Sequence, residues 1–437
     1  MFEEIRRQSK IEVAPSLKGT QAEKSLRIGV LFSGGPAAGG ANVVAGLFDS
    51  KNTLIGFLGG PSGILEEKYK ILTKEEVDQN RNLGGFDLLG TGRTKIETEE
   101  QFQKAKEVVE KLKLDGLVII GGDDSNTNAY FLHKYLKGCS VIGVPKTIDG
   151  DLKSKEIEIS FGFDTACKVY SQMIGNIGID AKSSLKYWHF IKLMGRTASH
   201  VTLECALQTR PNIALIGEEI RHKKMSLNDI VKEIADTVDE RAKAGKNYGV
   251  ILIPEGIIEF IGDKGLLTDL DSHGNVKVSQ IETEKLLSGL VETELKKRGS
   301  LAKFSPLHHF FGYEGRCSYP SEFDATYCYN LGLNAARLVQ EKKSGIISAI
   351  QNVAKPVAQW KPTSVPIEPL LVQEERKGQM KQVIAKALVD LNGPVFKTFL
   401  QQRAENRLED HYLRPGPMQF SSPLKDLITK TLSLERA

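Results

Sequence analysis

The stretch Leu117-Val118-Ile119-Ile120-Gly121-Gly122-Asp123-Asp124-Ser125 sets an apolar, β-branched run directly before two glycines, two carboxylates and a hydroxyl. Such a run reads as a strand buried on both faces, as in a parallel sheet, and the polar residues after it open a helix. The carboxyl ends of parallel strands are where open α/β sheets bind ligands. A second run, Val141-Ile142-Gly143-Val144, leads into Pro145-Lys146-Thr147-Ile148-Asp149-Gly150-Asp151, and a third strand is followed by Met194-Gly195-Arg196. Acidic, cationic and glycine residues thus recur at successive strand ends, a pattern that points to metal-assisted phosphoryl transfer.

Outward from these motifs, further strands are expected at 26–32, 54–58, 188–193, 213–216, 249–253 and 308–311. Helical patterns lie between them at 43–48, 99–112, 126–136, 165–177, 198–208, 227–244, 279–297 and 324–342. The alternation predicts an α/β fold with mainly parallel sheets covered by helices on both faces. Residues 1–25 read as an extended or partly helical leader, 262–265 as a loop and 271–274 as a polar turn. The charged run 374–386 reads as a surface helix, and Pro394, Pro415, Pro417 and Pro423 as turns between short helices.

Composition narrows the class. The 437 residues allow two or three domains. A net charge of +4, dispersed along the chain, argues against nucleic acid as a partner. Cys139, Cys167, Cys205, Cys317 and Cys328 form no CxxC pair, so reduced thiols in a cytoplasmic protein are expected. Met1–Lys10 shows no signal-peptide pattern, and no apolar run is long enough to span a bilayer. His308 and His309 are neighbours on a strand and point to opposite faces, which makes them a poor metal pair. Trp188 and Trp360 read as core or interface residues rather than a base-stacking platform.

The chemistry is assigned motif by motif. Gly34-Gly35, between a strand and a helix, lets backbone N–H groups approach a phosphate, and no Lys-Ser/Thr pair makes the loop a Walker A motif. Asp123 is the candidate Mg2+ ligand, because Mg2+ favours one or two carboxylates plus substrate oxygens. Ser125 or nearby N–H groups suit a phosphate oxygen, and helix capping by Asp124 and Ser125 alone would not call for two glycines before two carboxylates. Asp149 is the candidate base for an attacking hydroxyl, and Lys146 the cation facing the transferred group. Arg93, after a glycine-rich turn, suits a phosphate clamp. Arg196 and Arg316, each beside a glycine after a strand, suit a second phosphate, and Glu255 suits sugar hydroxyls.

At these residues the chain resembles the pyrophosphate-dependent 6-phosphofructokinases of the phosphofructokinase superfamily, in their long, plant-like branch. The resemblance runs over about 26–260 and 271–420 and is close in 116–153, 161–176, 186–212 and 279–287. It implies two doubly wound, Rossmann-like domains with an interdomain active site. The discontinuous bodies would be 1–165 plus 313–385 for pyrophosphate and Mg2+, and 166–312 plus 386–437 for fructose 6-phosphate. It also implies reversible transfer from pyrophosphate to fructose 6-phosphate, giving fructose 1,6-bisphosphate. Carried over by motif, Gly34 and Gly35 touch pyrophosphate, Asp123 holds Mg2+, and Asp149 deprotonates the C1 hydroxyl, with Lys146 and Arg196 completing the catalytic set. Thr147 and Asp151 sit beside that hydroxyl, and Ile148 is counted with the substrate-binding residues. Met194, Gly195, Arg196, Glu255, Tyr313, Glu314, Gly315 and Arg316 bind the sugar phosphate, and Lys186 and Tyr187 reach a second copy's site across a homodimer.

ATP-using relatives carry glycines at the positions of Asp124 and Lys146. A carboxylate at 124 adds bulk and charge where a nucleotide's α-phosphate would lie, and like charges at about 4 Å cost roughly 4 kcal/mol at an effective dielectric near 20. Replacing both residues by glycine is expected to shift donor preference toward ATP. The loop departs from the family's Gly-Gly-Gln-Ala-Pro-Gly-Gly-His-Asn at Pro36, Ala38 and Ala41, and Pro36 removes one N–H from the phosphate cradle. The leader is shorter than that branch's, and 262–265 crosses almost directly to the Asp271 region where the branch carries a helical insertion. Competing readings are an ATP-dependent phosphofructokinase, a non-catalytic regulatory subunit of the same fold, and a lipid or NAD kinase sharing the Gly-Gly-Asp strand end. The last does not account for 186–196 or 313–316.

Overall fold

A computed structural model of the chain describes residues 11–19, 25–261, 281–376, 378–416 and 429–436. In chain order, β1 (Arg27–Ser33), β2 (Thr53–Phe57), β3 (Tyr69–Ile71), β4 (Thr91–Gly92), β5 (Gly116–Gly121), β6 (Ser140–Thr147) and β7 (Phe161–Gly162) come first. Then follow β8 (Trp188–Leu193), β9 (Ile213–Ala214), β10 (Gly249–Pro254), β11 (Pro306–Phe311), β12 (Ile346–Gln351) and β13 (Lys361–Pro366). A nine-stranded sheet runs β13-β12-β6-β5-β1-β2-β3, with β4 on β1 and β7 on β6. Only its flanking strands β3 and β13 pair antiparallel. A four-stranded parallel sheet runs β11-β8-β10-β9. The predicted α/β class with mainly parallel sheets is therefore the observed one.

The apolar runs form strands because both of their faces are buried. In β5, Val118 and Ile120 enter one hydrophobic cluster while Leu117 and Ile119 enter another on the opposite face. Ile191 and Leu193 of β8 join the first of these clusters, so one core ties the two sheets together. Trp188 and Phe190, on the other face of β8, pack into a third cluster. β1 takes β2 on one side and β5 on the other, so the loops leaving β1 and β5 diverge at the point where strand order reverses. A crevice opens there.

Several expectations need correction. The run 374–386 is a hairpin, not a helix: β14 (Leu371–Arg376) pairs antiparallel with β15 (Gln379–Ile384). Its Glu, Gln, Lys and Met residues favour helix, but propensity yields to packing. Val383 and Ile384 are buried, and Ile384 N donates to Thr127 Oγ1 at 3.1 Å, which docks the hairpin on the helix Asp123–Tyr135. Strands β12 and β13 were not expected, and β9 covers only Ile213–Ala214. Pro394 starts a 15-residue helix, Pro394–Leu408, rather than a turn, since proline is tolerated in a first helical turn. The expectations for 262–265, 271–274, Pro417 and Pro423 lie outside the described residues. Both tryptophans are buried, and of the five free cysteines only Cys317 is exposed. His309 meets His189 at 2.9 Å while His308 meets Ser288 at 2.7 Å, the opposite faces that strand geometry requires.

Candidate active site

A cavity of about 390 Å³ lies at the carboxyl ends of β1, β5 and β6 of the large sheet and β8 and β10 of the small one. Gly34, Gly35, Arg93, Asp123, Asp124, Ser125, Lys146, Thr147, Ile148, Asp149 and Asp151 line it from one side. Met194, Arg196 and Glu255 line it from the other, and Tyr313 and Arg316 complete the lining.

The helix Asp123–Tyr135 starts at Gly122 without a side-chain cap, so the two aspartates of its first turn are not consumed in capping. Ser125 Oγ instead donates to Ser33 Oγ at 2.8 Å and ties this helix to the end of β1. Asp123 Oδ2 is buried and accepts no hydrogen bond among the described residues. Lys386 Nζ lies 3.8 Å from it. Asp124 Oδ1 lies 3.0 Å from Lys95 Nζ.

The loop after β6 is braced internally. Asp149 N donates to Thr147 Oγ1 at 3.0 Å, and Thr147 Oγ1 donates to Asp151 Oδ1 at 3.4 Å. Burial, then the Asp149 and Asp123 charges, push the Asp151 carboxyl up to about 7. Burial pulls the Lys146 amine down to about 8; Asp149 and Asp123 oppose that shift, while Arg316 and Arg93 add to it. Gly34 has φ +84°, a left-handed conformation that glycine adopts freely, and a Cβ there would face Lys146 Nζ at 3.6 Å. A Cβ on Gly35 would stand 2.6 Å from Arg316 Nη2, so the missing side chain is what lets the guanidinium lie over this loop. Arg316 Nε donates to the Pro36 carbonyl at 3.4 Å. Pro36 therefore lacks an N–H for the phosphate cradle but supplies an acceptor that turns Arg316 toward it.

On the opposite wall Gly195 N donates to Glu255 Oε2 at 3.1 Å. Burial pushes the Glu255 carboxyl up to about 7 against that hydrogen bond. Gly195 orients this carboxylate and does not itself line the cavity. Nor do Glu314 and Gly315: Glu314 accepts from Gly312 N at 3.1 Å, and a side chain on Gly315 would strike the Tyr170 ring. Both shape the turn that presents Tyr313 and Arg316. Lys186 and Tyr187 precede β8, at the end of that strand away from Met194 and Arg196, and do not line the cavity of their own chain. Tyr187 is 39% exposed, with φ +72°.

Lys95, Asn128 and Lys386 line the cavity without having been singled out from the sequence. Lys95 closes the Gly90–Lys95 stretch in which Arg93 drew attention. Lys386 follows the hairpin read as a helix. Among the described residues no group of three or more His, Cys, Asp or Glu is arranged to hold a metal by itself. A single carboxylate with an unbonded buried oxygen fits Mg2+, which completes its shell with waters and substrate phosphates. Among the described residues no helix is long and apolar enough to cross a membrane.

Comparison with known proteins agrees with this architecture. Residues 27–339 match the phosphofructokinase family. The pyrophosphate–fructose 6-phosphate 1-phosphotransferase subunit beta of Solanum tuberosum is 47% identical over 493 residues, covering 100% of this chain and 87% of the relative. The pyrophosphate–fructose 6-phosphate 1-phosphotransferase of Entamoeba histolytica is 47% identical over 483 residues, covering 96% of this chain and 88% of the relative. The crystal structure of a pyrophosphate-dependent phosphofructokinase from Nitrosospira multiformis superposes with a TM-score of 0.65 over 91% of this chain and 96% of that one. At 16% identity it is a match of fold.

Proposed function

Because the chain belongs to the phosphofructokinase family, we propose that its cleft moves a phosphoryl group reversibly between pyrophosphate and the C1 oxygen of fructose 6-phosphate, giving fructose 1,6-bisphosphate and phosphate. Curated relatives at nearly half identity and almost full coverage carry this activity in their names. The observation that carries the reading is the meeting of Asp123, Lys146 and Asp149 in one cavity, beside a carboxylate, Asp124, that narrows it.

Asp149 takes the proton of the C1 hydroxyl late, as the phosphoryl group arrives. Lys146 faces the developing charge from a dry position, where a fixed cation acts more strongly than in water. Arg93 holds the diphosphate over the glycine loop; Arg316, which the resemblance gave to the sugar phosphate, lies against Gly35 and Pro36 and is reassigned to the diphosphate, and Ile148 lines the same cavity. Thr147 and Asp151 hold the loop of the base. Glu255, oriented by Gly195 N, receives sugar hydroxyls, and Arg196, beside Met194, takes the sugar's phosphate. Mg2+, held by Asp123, would withdraw charge from the diphosphate oxygens when bound.

We assign the pyrophosphate body to 1–165 plus 313–385 and the sugar body to 166–312 plus 386–437. In a homodimer, Lys186 and Tyr187 would serve a second copy's sugar phosphate, and their exposure away from the home cavity supports that role. Five free thiols suit the reducing cytoplasm.

The test is a donor comparison: purified protein, Mg2+ and fructose 6-phosphate, with pyrophosphate or ATP. Bisphosphate is expected from pyrophosphate. Production from ATP alone would favour an ATP-dependent enzyme, and none from either donor would favour a regulatory subunit, a reading that the joint presence of Asp123, Asp149 and Arg196 in the cavity opposes.

A further inference from the structure

Lys95 meets Asp124 through a built support. Asn128 lies one helical turn beyond Asp124 on the same face of the helix Asp123–Tyr135. Its Oδ1 accepts from Ile96 N at 3.2 Å, and its Nδ2 donates to Ile96 O at 2.7 Å. Both bonds are buried. One side chain thus satisfies both backbone groups of the residue after Lys95 and registers that segment over the first turn of the helix, with the Lys95 ammonium 3.0 Å from the Asp124 carboxylate. All three residues line the cavity.

A bare carboxylate repels every phosphate donor, pyrophosphate included, so charge alone is a poor discriminator between two anions. A carboxylate neutralised by a fixed cation keeps its volume and loses most of its field. We infer that Lys95, registered by Asn128, is a positioning residue that holds Asp124 as a charge-neutralised wall, so that the site rejects nucleoside triphosphates by volume while admitting inorganic diphosphate. This rests on the pyrophosphate reading above and revises the sequence-based account, in which the charge of Asp124 shared in the exclusion.

The experiment separates charge from volume with Lys95→Met, Asp124→Asn, Asp124→Gly and the Lys95→Met/Asp124→Asn double variant. Pyrophosphate binding is measured by calorimetry with Mg2+, and kcat and KM are measured with pyrophosphate and with ATP. Lys95→Met is expected to weaken pyrophosphate binding about tenfold, in KM rather than kcat. The same substitution in the Asp124→Asn background is expected to cost less than about threefold, because the two residues are coupled. Lys95→Arg, which keeps the charge, is expected to stay within about threefold of the parent. Asp124→Asn should keep the donor ratio, while Asp124→Gly should raise relative ATP use by about tenfold or more. Equal costs of Lys95→Met in both backgrounds would show Lys95 acting on the anion directly and overturn the inference. So would an Asp124→Asn enzyme that admits ATP as readily as Asp124→Gly. A parent enzyme that uses ATP alone would overturn the donor reading itself, an outcome distinct from failed coupling with donor preference intact.

Discussion

Lys386 Nζ stands 3.8 Å from Asp123 Oδ2 while donating a 3.0 Å hydrogen bond to Thr197 Oγ1. One side chain therefore joins the first turn after β5 to the loop after β8, on opposite sides of the cleft. The next residue continues the tie: Ala387 N donates to the Asp151 carbonyl at 2.7 Å, and His200 Nε2 meets the Ala387 carbonyl at 2.9 Å. Lys386→Met should therefore reduce kcat/KM for pyrophosphate about 10- to 30-fold, a loss of about 1.4–2 kcal/mol, mostly through KM. Steady-state kinetics check this, and an unchanged KM would leave Lys386 with a structural role only.

Asp149→Asn keeps the shape of the loop after β6 and removes the proton acceptor. kcat is expected to fall about 10²- to 10⁴-fold with little change in substrate binding. A variant that retains more than about a tenth of the parental kcat would assign the base elsewhere.

The pH dependence of donor capture follows from Lys146. Its amine titrates near 8 because burial disfavours the charged form. The cation is present below that value and is lost as pH rises through it. kcat/KM for pyrophosphate, which reports the free enzyme, should therefore decline above about pH 8. Lys146→Arg keeps its charge throughout that range and should remove this limb, whatever its absolute rate. An identical limb in both enzymes would exclude Lys146 as its source.

Glu255 makes the opposite kind of statement about stability. Its folded value, about 7, lies above the value near 4.3 expected of the unfolded chain. The folded state holds the extra proton between those values, so stability falls as pH rises from about 4 to about 7, and the full cost is present above. Glu255→Gln keeps the acceptor for Gly195 N and removes the buried charge. It should stabilise the protein by on the order of 1–3 kcal/mol at pH 8 and by less at pH 5. Urea unfolding at the two pH values decides, and an equal effect at both would contradict the burial argument.

Lys186→Ala and Asp149→Ala chains should each be nearly inactive. If Lys186 serves a second copy, hybrids of the two contain one site with neither defect. Co-refolding the two variants should then restore roughly a quarter of parental activity by random pairing of dimers. No recovery, in a mixture shown to be dimeric, would put Lys186 outside the neighbouring site.

How far the chain could be read varied with the distance over which each feature is decided. The glycine loop, the carboxylates at 123 and 124, and the 146–151 loop were legible because each lies within a few residues of the strand that presents it. The hairpin Leu371–Ile384 was not legible. Its residues prefer helix, and strands form there because Val383 and Ile384 are both buried, with Ile384 packed and hydrogen-bonded to the helix Asp123–Tyr135. Lys386 was missed for the same reason. Arg316 was legible as a cation after a strand, but not that it would lie over Gly35 and take the Pro36 carbonyl as its acceptor.

By itself, the sequence determined the α/β alternation, the strand ends that carry ligands, and the kinds of charge at each, because strand burial and helix initiation depend on near neighbours. Only the tertiary structure decided which charges meet. Lys95 against Asp124 and Lys386 against Asp123 join residues far apart in the chain, and their pairing depends on how whole elements pack, a cooperative outcome of core burial that no local window contains.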